Sequence, residues 1–319
     1  MTTTGFLYHP AFLKHQTGWN HPEKRQRLTS LIEYLKHTDL WTEMAHLTPE
    51  PASLADVTAV HDPAYVERIR AACEAGRLFE PCASTVGSPG TYEAALMAAG
   101  AVLKAIDAVL TGQVANAFCA VRPPGHHATA DQAMGFCFFN NVAIGARYLQ
   151  RRHGIKKIAI IDWDVHHGNG TQDAFYSDPS VFYFSIHQFP LYPMSGRAHE
   201  TGTGAGTGTT MNKPVAEGST DHDYHRVFVE DLKPALARFQ PEFILISAGF
   251  DGHAQDPLGG VMLTEAGFGE LTRIVMDMAR EHCEKRLVSV LEGGYDMTAL
   301  SASIEAHLRA LGAGSSQTL

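Results

Sequence analysis

The sequence predicts an α/β fold: a mainly parallel sheet with helices on both faces. Three observations predict it. Short apolar, β-branched runs without polar alternation recur along the chain, as in strands buried on both sides, and 157–161 (Lys-Ile-Ala-Ile-Ile) is the clearest. These runs alternate with stretches of helical length and periodicity. Several of them end in segments rich in Asp, His and Gly, at the edge where open α/β sheets place their ligands.

Taken in order, residues 22–36 carry Leu28, Leu31, Ile32 and Leu35 at helical spacing. Asp62-Pro63 predicts an N-cap and a first-turn proline for a helix running to about residue 75. An Ala-rich helix is expected over 91–110 and a strand over 114–121, ending at Arg122-Pro123-Pro124-Gly125-His126-His127. A helix over 140–152, the strand at 157–161, a short helix at 172–176 and a strand over 181–187 follow. The remainder reads as helix 223–238, strand 243–248, helix 264–282, strand 286–291 and helix 298–311. The Gly/Thr run at 201–210 matches neither phosphate-binding glycine pattern and reads as a flexible loop.

With 319 residues, 45% of them hydrophobic, and no Pro/Ser/Gly linker, the chain reads as one domain over 1–319. A net charge of -9 gives no electrostatic reason for nucleic-acid or anionic-membrane binding. No apolar run approaches the roughly 20 residues that span a bilayer, and the first twenty residues lack a secretion-signal pattern. Cys73, Cys82, Cys119, Cys137 and Cys283 are dispersed without CxxC spacing, which fits reduced thiols in a cytoplasm. Oligomeric state is not readable from the sequence.

Four of the expected strands end in chemically loaded loops. Strand 114–121 delivers His126-His127; 157–161 delivers Asp162, Asp164, His166 and His167; 243–248 delivers Gly249-Phe250-Asp251; 286–291 delivers Glu292-Gly293-Gly294-Tyr295. In a parallel sheet these ends share one edge. Asp164 and His166, two residues apart, project the same way from extended chain, and with Asp251 they make three ligands with a position left open, the pattern of catalytic rather than structural zinc. Asp162, one step inside, is placed to orient a histidine. Each piece alone has a structural reading: the aspartates as caps or turn starters, the histidines as satisfied or loop residues, Tyr295 as a packing residue. The coincidence of four such loops favours chemistry.

These residues resemble the zinc-dependent histone deacetylase superfamily over nearly the whole chain. The matching motifs are Arg122 to His127, Gly135-Phe136-Cys137-Phe138-Phe139-Asn140-Asn141, Asp162 to Gly170, Ser185-Ile186-His187, Ser247-Ala248-Gly249-Phe250-Asp251 and Glu292 to Tyr295. Asn169 and Thr171-Gln172 resemble the class II branch and its bacterial relatives. The resemblance implies an arginase-like α/β domain with a central, largely parallel sheet of about eight strands. It implies that Asp164, His166 and Asp251 bind zinc, that His126 and His127 are the tandem active-site histidines, that Asp162 pairs with His126 and Asn169 with His127, and that Tyr295 polarises the scissile carbonyl. It implies a structural potassium ion held by Asp162, by the Ser185 hydroxyl and by backbone oxygens of Asp162, Asp164, His166 and Ile186, with a second monovalent site near Phe175, Asp178 and Val181.

His127 is expected to serve as general base and then acid, with His126 acting electrostatically. Substrate would pass through an apolar channel between Phe136 and Tyr192, with Gly135, Gly294 and Leu258 beside it. A polyamine-specific branch of the family has an acidic residue at the Leu258 position, so leucine points to acyl-lysine peptides or proteins; acetylated polyamines or other small acylamines are the alternative. Ser84 stands near where many relatives hold the substrate backbone with an aspartate, and its role is open. Two further readings belong to other classes: a catalytically dead acyl-lysine reader, against which intact Tyr295, His126 and His127 argue, and a two-metal ureohydrolase, for which only one ligand set is visible.

Overall fold

The computed structural model describes residues 3–313. In chain order, the first half contains β1 (Thr4–Leu7), α1 (Gln26–Lys36), α2 (Leu40–Glu43), β2 (Ala45–Leu47), α3 (Leu54–Val57), α4 (Pro63–Glu74), β3 (Phe79–Cys82), β4 (Thr85–Gly87), α5 (Thr91–Leu110), β5 (Asn116–Cys119) and α6 (Asn141–His153). Then come β6 (Ile158–Asp162), α7 (Asn169–Phe175), β7 (Val181–Gln188), β8 (Thr210–Val215), α8 (Asp221–Val227), α9 (Lys233–Phe239), β9 (Phe243–Ala248), α10 (Glu265–His282), β10 (Leu287–Leu291) and α11 (Met297–Ala313). A single π-turn, Phe228–Leu232, joins α8 to α9, so the stretch expected as a helix over 223–238 is one continuous helical run.

The α/β class holds. Eight strands form one sheet in the order β2-β1-β5-β10-β9-β6-β7-β8, and every neighbouring pair is parallel. The four strands with loaded ends, β5, β10, β9 and β6, are consecutive in that order. Their carboxyl ends therefore sit side by side, which is the geometric condition for one site.

Helices cover both faces because alternate residues of each strand point opposite ways. In β5, Cys119 Sγ reaches the Ala101 carbonyl of α5, whereas the Phe118 ring packs edge-on against His307 of α11 at 5.3 Å. His307 in turn meets Trp163 and Phe250, both at 5.7 Å, and so ties α11 to two of the loaded loops. The caps follow the sequence: the Asn140 side chain accepts from Ala143 N–H, and Pro63 opens α4 after Asp62.

Five strands escape the sequence reading: the β3–β4 hairpin and, in the main sheet, β1, β2 and β8. β1 and β2 have only four and three residues, and the edge strand β8 is polar and contains Pro214, which an edge tolerates. The Gly/Thr run is not an unstructured loop. Gly208 N–H donates to Thr201 O at 2.7 Å and Thr203 N–H to Tyr176 O at 2.8 Å, so the run folds into a bonded turn leading into β8.

Close approach to α5 explains Gly100: a Cβ there would lie 1.8 Å from the Glu50 carbonyl oxygen, which is backbone and cannot rotate away. Gly100→Ala should lower unfolding free energy by about 1–3 kcal/mol, read as a lower urea midpoint at unchanged slope.

Candidate active site

The site forms at the carboxyl edge because β6 runs straight into it: Asp162 is the last residue of the strand, and Asp164 and His166 follow in the turn before α7. Asp251 leaves β9 in the neighbouring turn. His166 Nδ1 lies 3.1 Å from both Asp164 Oδ1 and Asp251 Oδ2, and the three residues present ligand atoms within 4.8 Å of one another. All three are buried. Backbone amides fix the carboxylates: His166 N–H donates to Asp164 Oδ1 (2.9 Å), Gly293 N–H to Asp164 Oδ2 (2.8 Å) and Val165 N–H to Asp251 Oδ1 (2.9 Å). Glycines make room for this: a Cβ on Gly249 would lie 2.2 Å from Asp164 Oδ2, and one on Gly293 would lie 2.0 Å from Asp251 Oδ2.

Among the described residues, no Lys or Arg pairs with Asp164 or Asp251; their only cationic neighbours are imidazoles. Burial and the Asp164 charge raise Asp251 above the ordinary carboxylate range, whereas burial of Asp164 is outweighed by the His126 and His166 imidazoles, which hold it below that range. Two buried carboxylates and an imidazole facing one point, with no Lys or Arg among the described residues to pair them, fit a divalent cation of the zinc type.

The tandem histidines stand beside this cluster. His126 Nδ1 lies 3.0 Å from Asp162 Oδ2, and His127 Nδ1 lies 2.9 Å from Asn169 Oδ1. Asn169 Nδ2 donates to the His127 carbonyl (3.3 Å), so its Oδ1 is the acceptor and His127 Nδ1 carries the proton. Nε2 of His127 is then left with its lone pair. Burial opposes charge on His126, but the carboxylates of Asp164 and Asp162 outweigh it and push its pKa up to about 10. Burial, with the neighbouring His126 and His166, holds His127 well below the ordinary histidine range. The pair is thus split into a charged member and a neutral one able to take a proton. Tyr295 is buried, and burial together with the Asp251 carboxylate keeps its phenol protonated, far above the ordinary tyrosine value.

The residues expected along the channel are brought together. Phe136 meets Tyr295 at 5.9 Å and Tyr192 meets His127 at 5.1 Å between ring centroids, both edge-on. Gly135 is tight against His127: a Cβ would lie 2.1 Å from its Cδ2. Gly294 adopts φ 120°, a value that favours glycine. Leu258 lines a hollow with Phe136 and Ser84, and Ser84 sits between β3 and β4 with its carbonyl 2.9 Å from His21 Nε2. Asp162 and Ser185 are register partners across β6 and β7, with Ile186 next along the strand. The corner near Phe175 and Asp178 holds a cation of the chain's own: Arg147 pairs with Asp178 at 2.6 Å and covers the Phe175 ring at 4.6 Å.

Several supporting residues were given no role from the sequence. Glu292 accepts from Gly125 N–H (2.7 Å), His126 N–H (3.1 Å) and the Ser247 hydroxyl (3.1 Å), so it pins the histidine loop. Asp256 accepts from Tyr295 N–H at 2.6 Å. Arg27 donates to the carbonyls of Gly294 and Glu292, each at 2.6 Å, and lies 4.9 Å over the Tyr295 ring. His61 accepts from Asn140 N–H with Nε2 and donates to Thr129 O with Nδ1, both at 2.8 Å, which ties the two ends of the segment bearing Gly135 and Phe136. Glu23, fully buried, accepts a forked pair from Arg122 (Nη2 to Oε2, 2.7 Å) and one bond from Arg27 (3.2 Å). A signal existed for Arg27: it stands four and eight residues before Leu31 and Leu35, on the apolar stripe of α1.

Residues 21–311 match the family described as histone deacetylase domain. A protein of Archaeoglobus fulgidus named probable deacetylase is 42% identical over 296 residues, covering 92% of this chain and 82% of that protein. The histone deacetylase-like amidohydrolase of Pseudomonas aeruginosa is 40% identical, covering 91% and 75%. The human polyamine deacetylase HDAC10 is 37% identical over 94% of this chain and 47% of its own length. The crystal structure of the HDA15 HD domain superposes with a TM-score of 0.93 at 33% identity, covering 98% of this chain and 88% of that one.

Burial disfavours a charged Glu23, but Arg122 and the hydrogen bonds to His15 and Arg122 outweigh it and hold its carboxyl well below 4.5. A depressed folded-state pKa gives stability that is present above the unfolded value and lost as pH falls below it. Glu23→Gln should therefore cost about 3–5 kcal/mol at pH 7, by leaving Arg122 buried without its counter-charge. The gap to the parent protein should narrow as pH falls below 4.5, measured by urea unfolding across pH.

Proposed function

The chain belongs to the histone deacetylase family, and from that premise we propose that it is a zinc-dependent amidohydrolase removing acetyl or related acyl groups from lysine side chains. One observation carries the reading: the buried Asp164–His166–Asp251 set, paired by no Lys or Arg among the described residues, lies beside His126 and His127, which Asp162 and Asn169 hold through their Nδ1 atoms.

Bound by Asp164, His166 and Asp251, zinc supplies Lewis-acid polarisation of the amide carbonyl and lowers the pKa of water. The chain supplies the rest. His127, neutral with Nε2 free, takes a proton from the attacking water and passes it to the departing amine. His126, steered by Asp162, stabilises negative charge in the transition state. Asn169 fixes the His127 tautomer, a neutral partner that leaves the ring a modest base. The Tyr295 hydroxyl donates to the developing oxyanion. Phe136 and Tyr192 hold the methylene stem, with Gly135 and Gly294 shaping the walls.

Asp162, Ser185 and the backbone oxygens of Asp164, His166 and Ile186 would hold a structural potassium ion. Residues 1–319 act as one catalytic domain. The five cysteines, all free, fit a cytoplasmic setting. No helix among the described residues is long and apolar enough to cross a membrane. Leu258 at the mouth favours acyl-lysine over a cationic substrate; the human relative's name keeps acetylated polyamines as the alternative.

Tyr295→Phe should lower kcat by about 10²–10³-fold with an unchanged unfolding midpoint, since one oxyanion donor is worth roughly that much; near-full turnover would remove Tyr295 from the reaction. In a panel of acetyl-lysine peptides and acetylspermidine, the peptides should be turned over faster and a chelator should abolish both activities. A strong preference for acetylspermidine would overturn the lysine assignment.

A further inference from the structure

Two hollows share Trp19. The larger, about 530 Å³, is edged by Trp19, His21, Ser84, Leu258 and Phe136. The smaller, about 220 Å³, is lined by Trp19 and by Lys24 and Arg25 with Gln16 and Gln26. Trp19 itself is 88% exposed. A lysine stem occupies only the channel behind Phe136, so the larger hollow has room for the residues on either side of that lysine. A large, rigid indole shared by two hollows is the kind of anchor that dominates recognition of a chain laid across it.

The charge at this place is specific. Glu23, the carboxylate adjacent in sequence to Lys24 and Arg25, is consumed in the buried pairs with Arg122 and Arg27. Among the described residues, neither Lys24 nor Arg25 has an ion-pair partner, although the chain as a whole is -9. The Glu80 carboxylate accepts at 2.6 Å from the N–H of Ser84, one of the residues lining the larger hollow.

We propose that the Trp19 face docks the peptide that carries the acyl-lysine and selects an acidic side chain close to that lysine, which Lys24 and Arg25 receive. The inference rests on the acyl-lysine reading above. Its chemistry is complementary charge at a wet rim around an aromatic anchor. A polyamine, cationic along its length, meets the same two charges with the wrong sign.

The test uses the intact protein and matched acetyl-lysine hexapeptides with Glu, Ala or Lys at the positions flanking the acetyl-lysine, alongside acetyl-lysine amide and acetylspermidine. The Glu peptide should exceed the Lys peptide in kcat/KM by about 5-fold, as one to two rim charge pairs allow, chiefly through KM. The preference should shrink between 0.1 M and 1 M salt, as the screening length falls from about 10 Å to about 3 Å. The double variant Lys24→Glu, Arg25→Glu should reverse the order, and Trp19→Ala should weaken all three peptides while leaving acetyl-lysine amide unchanged. Turnover of the amide with no peptide ranking, or with the same ranking in the double variant, overturns the docking face alone. Turnover of acetylspermidine with no hydrolysis of the amide or any peptide overturns the lysine reading beneath it.

Discussion

Two carboxylates and an imidazole are held at one buried point with no Lys or Arg among the described residues to pair them, and the rest of the molecule is arranged to maintain that condition. Asp164 and Asp251 are kept together because three of their four oxygens accept from backbone amides of two loops: Gly293 after β10, and Val165 and His166 after β6. Those loops are in place because β10, β9 and β6 are adjacent parallel strands ending at the same level. The sheet's strand order is thus a requirement of the electrostatics at its edge.

Behind the reacting groups lies a second layer of buried charge. Glu23 joins Arg122, at the start of the histidine loop, to Arg27, which grips the carbonyls of Glu292 and Gly294 beside Tyr295. Ion pairs this deep are weak contributors to net stability when compared with apolar packing. Their value here is positional: the guanidinium forks fix the loops carrying the histidines and the tyrosine relative to each other. Glu292 does the same from the other side through the amides of Gly125 and His126.

The central strands and the Asp164–His166–Asp251 cluster were legible in the sequence because a doubly buried strand is an unbroken apolar run, and because Asp164 and His166 at two-residue spacing on extended chain project the same way. The edges were not. β2 has three residues, and β8 mixes Thr, Asn, Lys and Pro, so neither carries a hydrophobic pattern to read. The supporting charges were hidden for a different reason. A buried Glu23 or Arg122 looks like any surface residue until its partners, up to 110 positions away in the chain, are folded against it. Only Arg27, set on the apolar stripe of its helix, advertised its burial.

The glycines at 249 and 293 bear on how such a protein changes over time. Each presses against a carboxylate so closely that even a methyl group has no space. Diversity among descendants must therefore accumulate elsewhere, at the outer surface where loops meet solvent. A side chain added at either glycine would displace a carboxylate, a limit that does not reach the residues around the mouth.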